Sequence, residues 1–387
     1  MHNSALRGDW QFPTLIRFGS GRLRELASEL QQMGLVRPLV VTDQGIVQAG
    51  LSARVLEVAR YEGAAVALHA QVGENPTDTD VYAGVEAFHA HQSDCVVALG
   101  GGSALDCGKA IALIAGCGGA IERFAWPQTG ALGERSPIPI IALPTTAGTG
   151  AEVEASSMIT LTADRRKAAV VSQSLMPTLV IADPELTLSL PPNLTAATGM
   201  DALSHNLEAL FAPAFHPIAD AISVEGVRLA LEWLPKAVAD GTDLHARESM
   251  MVAAIMGATA FSKGLGAMHA LSHAIGGLFS TPHGATNAVL MPHVLRFNRP
   301  VIEEKVAVLA VACGLAPSFD AFLAHILEVS KRIGVPENLG TLGVPEYSFA
   351  EISERAERDV CATTNPRPLD HAALMSILHH ASASSHC

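Results

Sequence analysis

The chain has 387 residues, 49% of them hydrophobic and 16% charged, which excludes a disordered protein and, at this length, a single ordinary core. Lys and Arg number 25 against 38 Asp and Glu, and the net charge of −13 argues against nucleic acid or an anionic membrane as partner. The longest uncharged apolar stretch, residues 110–121, is broken by glycines and falls short of the roughly twenty residues of a membrane span, so no membrane partner is expected.

In chain order, the N-terminal residues lack a basic region followed by an apolar one, so no signal peptide is expected. Residues 38–42, 65–68, 95–99, 138–143 and 179–182 are short apolar runs rich in β-branched residues, and helical stretches at 21–33, 52–63 and 81–91 lie between them. Continuous apolar strands separated by helices predict a parallel sheet covered on both faces. Residues 156–169 suggest an added β-hairpin, with Ala163-Asp164 near its turn. After Pro184 the strand signals vanish, and Pro191-Pro192 marks the junction. Helical periods rich in Ala, Leu and Met follow at 195–211, 217–241, 244–263, 268–279, 301–313 and 319–333. The expected organisation is an α/β domain over residues 1–187 and an all-helical domain over residues 188–387, with a frayed tail at 381–385.

Two glycine loops end strands of the first domain. Gly100-Gly101-Gly102-Ser103 follows the 95–99 strand and opens a helix at 104–114 that carries Asp106. Such a turn can present backbone N–H groups and the positive end of the helix dipole to a phosphate, or can be a plain tight turn. It is not a Walker A loop, which would need Gly at Ser103 and Ser or Thr at Ala110, nor a GxGxxG fingerprint, because Leu105 fills the last glycine position. The second loop, residues 144–152, carries Thr145, Thr146 and Thr149 with Gly148 and Gly150, and hydroxyls at a strand's carboxyl end suit a phosphate or ribose. Two such loops on one sheet point to a dinucleotide. Asp43 ends the 38–42 strand, where a carboxylate can accept from ribose hydroxyls and repel a 2′-phosphate, favouring NAD over NADP; the alternative is a helix N-cap or turn residue.

In the second half, Asp201 and His205 form one i,i+4 pair and His269 and His273 another, with His283 in Pro282-His283-Gly284 nearby. Residues four apart project from one helix face, and a carboxylate with several imidazoles is a donor set for a divalent metal. Spacing alone does not separate His269 from His273.

The chain resembles the iron-containing (group III) alcohol dehydrogenase family nearly end to end. The likeness runs through Phe18-Gly19-Ser20-Gly21, Val41-Thr42-Asp43, Glu74-Asn75-Pro76-Thr77, the two glycine loops, Thr198-Gly199-Met200-Asp201-Ala202-Leu203-Ser204-His205, the His269 to His283 segment and Leu290-Met291-Pro292-His293. It implies a dehydroquinate synthase-like fold, a nucleotide-binding domain followed by a helical one with the active site in the cleft between them. By the family's pattern Asp201, His205, His269 and His283 hold the metal, and His273 stands near substrate and nicotinamide without being a ligand. Asp43, Asn75, Gly101, Gly102, Ser103, Thr145, Thr146, Thr149 and Lys167 become nucleotide contacts, and Asp106 is counted with them.

One Asp with three His suits Fe2+ or Zn2+, Fe2+ being the first expectation. The metal would polarise the oxygen of a small alcohol or its carbonyl product, hydride would pass to or from NAD, and His273 is the candidate proton relay and catalytic residue. Within the family the alternative is a maleylacetate reductase or another specialised carbonyl reductase, although the intact Pro282-His283-Gly284 argues against the former. A dehydroquinate synthase-like lyase would need several cations for a substrate phosphate, and Lys263 is the only one between Glu248 and Arg296. A metal- or nucleotide-binding protein without turnover is the non-enzymatic alternative. The resemblance implies at least a homodimer. The segment Asp359 to Arg367 also resembles the family; there Cys361 either lines the site or is a buried inert thiol, and the six cysteines, with no CxxC pair, read as reduced thiols of a cytoplasmic protein.

Overall fold

The structure is a computed structural model and describes residue 12 and residues 14–126, 138–163 and 166–383. It divides into two compact units, one ending at Leu190 and the other beginning at Pro191. The break coincides with the proline pair rather than with residue 187.

The first unit is built on a six-stranded sheet in the order β1-β8-β5-β4-β2-β3, with every pairing parallel. The strands are β1 (Leu15–Phe18), β2 (Pro38–Asp43), β3 (Ala67–Val72), β4 (Cys95–Gly100), β5 (Ile140–Pro144) and β8 (Leu179–Ala182). Every residue of β4, β5 and β8 is buried, which is why these strands read as unbroken apolar runs. Helices α1 (Leu26–Gln32) and α3 (Leu51–Val58) close one face, where Leu26, Leu30 and Val55 pack with Val40, Val97, Leu99, Ile141 and Ile181. Helices α4 (Asp78–His91) and α5 (Gly102–Cys117) pack on the same sheet, and α5 is buried along most of its length. The short α2 (Gln44–Gln48) follows β2. The antiparallel hairpin of β6 (Ser156–Leu161) and β7 (Arg166–Val171) packs against α5, and the expected turn residue Asp164 lies outside the described residues.

Strand boundaries shift where local chemistry overrides the apolar pattern. The run at 138–143 starts pairing only at Ile140, after Pro139, which has no N–H to donate. The run at 65–68 becomes β3 at 67–72, an edge strand whose half-exposed face admits polar residues. Strand β1 was not expected: four residues long, half exposed and containing Arg17, it has too little pattern to stand out.

The second unit is helical: α6 (Pro192–Phe211), α7 (Pro217–Ala239), α8 (Leu244–Ala260), α9 (Ala267–Phe279), α10 (His283–Ala312), α11 (Phe319–Arg332), α12 (Phe349–Glu357) and α13 (His371–Ser382). Helices α6, α7 and α8 pack against one another, and α10 lies on α6, α9 and α11. The period expected at 301–313 is the last part of α10, which runs through Pro292 and Pro300. Proline costs a helix an N–H and a steric clash, yet buried Val289, Leu290, Val294 and Leu295 on one side of Pro300 and Ile302, Val306 and Leu309 on the other keep it continuous. Helices α12 and α13 were not expected; α12 is short and carries four charged residues among nine, which hides its apolar stripe. No single helix among the described residues is long and apolar enough to cross a membrane.

Candidate metal centre and nucleotide loops

Helix α6 places Asp201 and His205 on one face, and α9 presents His269 in its first turn just after Gly266. Helix α10 opens directly on His283, because Pro282 fixes the preceding backbone and has no N–H to satisfy. Asp201, His205 and His269 are all buried, with one donor atom of each within 4.8 Å of the others. Asp201 Oδ1 lies 3.8 Å from His269 Nε2 and 3.5 Å from His283 Nε2, and the rings of His205 and His269 stack at 4.6 Å. All four expected ligand residues therefore come together within the helical unit.

The donor set has the character of a cation site. Asn287 Nδ2 lies 2.8 Å from Asp201 Oδ1, 3.3 Å from His269 Nε2 and 3.2 Å from His283 Nε2. Three acceptor atoms thus converge on one amide group that has two hydrogens to offer. Meanwhile Asn287 Oδ1 is buried without a hydrogen-bond partner. One carboxylate oxygen and two imidazole nitrogens gathered on one amide, with His205 beside them, are a donor set whose chemistry fits a divalent ion.

Glu208 and Asn287 were missed by the sequence reading. Glu208, buried on α6, accepts from Gly266 N at 2.8 Å, Met268 N at 2.7 Å and His269 Nδ1 at 2.7 Å. Its bond fixes the proton on Nδ1 and leaves Nε2 of His269 bare for a metal. Burial opposes charge on His269, but Glu208, with Asp201 and Asp359, outweighs it and raises the imidazole pKa. The helical spacing Asp201, His205, Glu208 and the i,i+4 pair His283, Asn287 were the signals that could have found both residues.

His273 faces elsewhere. Its Nδ1 is 3.0 Å from Asp359 Oδ2, and its ring stacks on His283 at 5.4 Å. Asp359 caps the turn Val360–Thr364, accepting from Cys361 N at 2.8 Å. Burial works against its charge, but His273 and the hydrogen bonds from Cys361 hold the carboxyl below the usual range. Lys263, the lone cation noted in this stretch, is spent internally: its Nζ donates to Leu210 O at 3.0 Å and to Asp220.

In the first unit the two glycine loops lie side by side. Thr145 N donates to Gly100 O at 3.0 Å, and a Cβ on Gly101 or Gly102 would approach Thr146 to 3.2 Å or Thr149 to 2.7 Å. Gly100 has φ 147°, and a Cβ there would meet Ala104 Cβ at 2.6 Å, so the turn requires glycine. Asn75 is exposed, and Gly101, Gly102, Ser103, Thr146, Thr149 and Lys167 are partly so. The Ser103 hydroxyl donates to Glu74 O.

Three expected contacts are also engaged within the protein. Asp43 caps α2, with Oδ1 accepting from Ile46 N at 2.9 Å, while Oδ2 would lie 3.4 Å from a Cβ on Gly100, facing the loop. Asp106 ties α5 to the hairpin, pairing with Lys109 Nζ at 3.1 Å and accepting from Met158 N at 3.0 Å. Asp106 is thus a strut between α5 and the hairpin, with a lone pair left on each carboxylate oxygen. Thr145 is buried at 3% exposure, where its side chain packs in the protein.

Known proteins are similar to nearly the whole chain. Residues 13–184 match the family model described as iron-containing alcohol dehydrogenase, and residues 195–382 match that of the Fe-containing alcohol dehydrogenase family's C-terminal part. The NAD-dependent methanol dehydrogenase of Bacillus methanolicus is 38% identical over 357 residues, 90% of this chain and 93% of its own. The crystal structure of a 1,3-propanediol oxidoreductase superposes with a TM-score of 0.92 at 37% identity, covering 97% of this chain and 100% of the other. Sulfoacetaldehyde reductase from Bifidobacterium kashiwanohense, solved in complex with NAD+, gives 0.90 at 32% identity, with 98% and 99% covered.

Proposed function

The chain belongs to the iron-containing alcohol dehydrogenase family, NAD-linked oxidoreductases acting on CH–OH groups, and we propose that it interconverts a small primary alcohol or diol with its aldehyde at an ion held by Asp201, His205, His269 and His283. The observation that carries this reading is the convergence of Asp201, His269 and His283 on the single amide of Asn287, an acceptor cluster that asks for a cation. A set without sulfur suits Fe2+ and also accommodates Zn2+. The substrate class rests on the methanol- and propanediol-acting relatives.

When bound, the metal would supply Lewis-acid polarisation of the substrate oxygen, and NAD would supply the hydride acceptor. The chain's residues do the rest. Glu208 holds the His269 tautomer and the start of α9. Asp359 accepts from His273 Nδ1, which leaves Nε2 to take the alcohol proton and pass it on. Asp43, Asn75, Ser103, Thr146, Thr149 and Lys167, with the backbone of Gly101 and Gly102, are the proposed dinucleotide contacts. None of the five described cysteines is in a disulfide, which supports a reducing compartment such as the cytoplasm, and a homodimer or larger assembly is the proposed quaternary state. A lyase acting on a phosphate is disfavoured by the internal commitment of Lys263.

The test is NADH formation by the iron-loaded protein with a panel of primary alcohols, diols and hydroxy acids. Activity that a chelator abolishes and Fe2+ restores is expected. No alcohol-dependent NADH with any member, or turnover indifferent to the chelator, overturns the reading.

A further inference from the structure

Beside the acceptor cluster of Asp201 stands a second group of unlike chemistry. One nitrogen of His273, a carboxylate oxygen of Asp359 and the sulfur of Cys361 lie within 4.8 Å of one another. We propose that these three side chains form a second, inhibitory cation site for a thiophilic divalent ion such as Zn2+, separate from the site for the catalytic metal.

The geometry is close to what zinc needs. Bonds of about 2.0–2.3 Å in a tetrahedron put neighbouring donors roughly 3.3–3.8 Å apart, so the three atoms need only a small adjustment. The pair His273 Nδ1 and Asp359 Oδ2 already stands at 3.0 Å. Cys361 is pinned by the turn itself, whose first N–H bonds are taken by Asp359, and its thiol also hydrogen-bonds that carboxylate. A fourth position is left for water. Side-chain exposures of 13% for His273 and 18% for Asp359 leave a way in for the ion, while Cys361 is buried behind them.

Charge and softness favour occupation. The carboxylate and the thiolate together balance the two positive charges of the ion; on binding, the proton of His273 Nδ1 passes by way of solvent to Nε2, and one proton, from the Cys361 thiol, is released. The catalytic set of Asp201 and three histidines has no sulfur, so a soft ion discriminates for the cysteine-bearing group. Occupation takes His273 out of proton transfer and so stops turnover. That consequence rests on the proposed role of His273, whereas the binding does not.

The binding is read with Co2+, added anaerobically to the iron-loaded protein. Cobalt bound by a thiolate gives a near-ultraviolet charge-transfer band that an Asp/His site cannot produce. The expected result is a band that saturates at one added equivalent, is displaced by Zn2+, is lost in Cys361→Ser and needs at least about tenfold more Co2+ in His273→Ala. Zn2+ should also inhibit alcohol oxidation, with a half-inhibiting concentration about tenfold higher in Cys361→Ser. No thiolate band in the unmodified protein, or an undiminished band in Cys361→Ser, overturns the proposal. If the protein oxidises no alcohol, the proposed function falls but the band still decides this site. If it does and no band forms, only this inference falls.

Discussion

Glu208 carries three hydrogen bonds from the segment that begins α9, and one of them reaches His269. A single buried carboxylate thereby positions a helix end and chooses which imidazole nitrogen is free. Glu208→Gln substitutes an amide that must turn an NH2 toward donors, so metal affinity should fall by about 10- to 100-fold. Competition against a chromogenic chelator measures it, and NAD binding should be unchanged because the glycine loops belong to the other unit. An unaltered metal affinity would show that His269 needs no such partner. Asp43 divides its labour similarly, one oxygen capping α2 and the other facing Gly100. The N-cap and the proposed ribose contact are therefore not exclusive.

Among the helices, α6 and α10 approach each other closely beside the site. A Cβ on Gly284 would lie 2.1 Å from Ala197 O and 3.1 Å from Asp201 Cβ, the first being backbone that has no rotamer to move. The missing side chain at Gly284 lets the first turn of α10 sit on α6, which brings His283 to Asp201. Gly284→Ala should push that turn away, lowering stability by about 1–3 kcal/mol and metal affinity by tenfold or more. Thermal melts with and without metal, compared with His283→Ala, separate the two losses: the histidine variant should lose metal with a smaller drop in the metal-free melt. Wild-type metal content in Gly284→Ala would mean that the two helices can part without moving His283.

For the molecule as a whole, the pH dependence of stability contains a contribution unrelated to the metal. Glu152 is 2% exposed at the end of the threonine loop, and burial raises its pKa from 4.5 to about 7, with its own backbone hydrogen bond and Lys109 opposing and Asp106 adding. Between those values the folded protein holds a proton that the unfolded chain has lost. Stability therefore falls as pH rises from about 4.5, and the loss is complete above about 7, on the order of 1–3 kcal/mol. Glu152→Gln keeps the shape and removes the titration. Its melting temperature should exceed that of the unmodified protein at about pH 8 and match it at about pH 5. Parallel profiles across that range would place the folded-state titration elsewhere.

Local pattern determined a good deal by itself. Strands β4, β5 and β8 are buried on both faces and so read as apolar runs, and the i,i+4 pairs put Asp201 with His205 and His269 with His273 on shared helix faces wherever those helices pack. Tertiary structure decided which partners those faces meet. His269 and His273 are four apart on one helix, yet one turns to Glu208 sixty-one residues away and the other to Asp359 at a separation of eighty-six. Nothing in the spacing within α9 distinguishes them, because periodicity records which way a side chain points along its own element and not what stands opposite. The same limit hid Asn287, and it hid the bonds by which the Asp106 carboxylate holds Met158 and Lys109. Helix α10 continues through Pro300 for a related reason: burial on both sides of the proline outweighs a local penalty that, read along the chain alone, ends the helix.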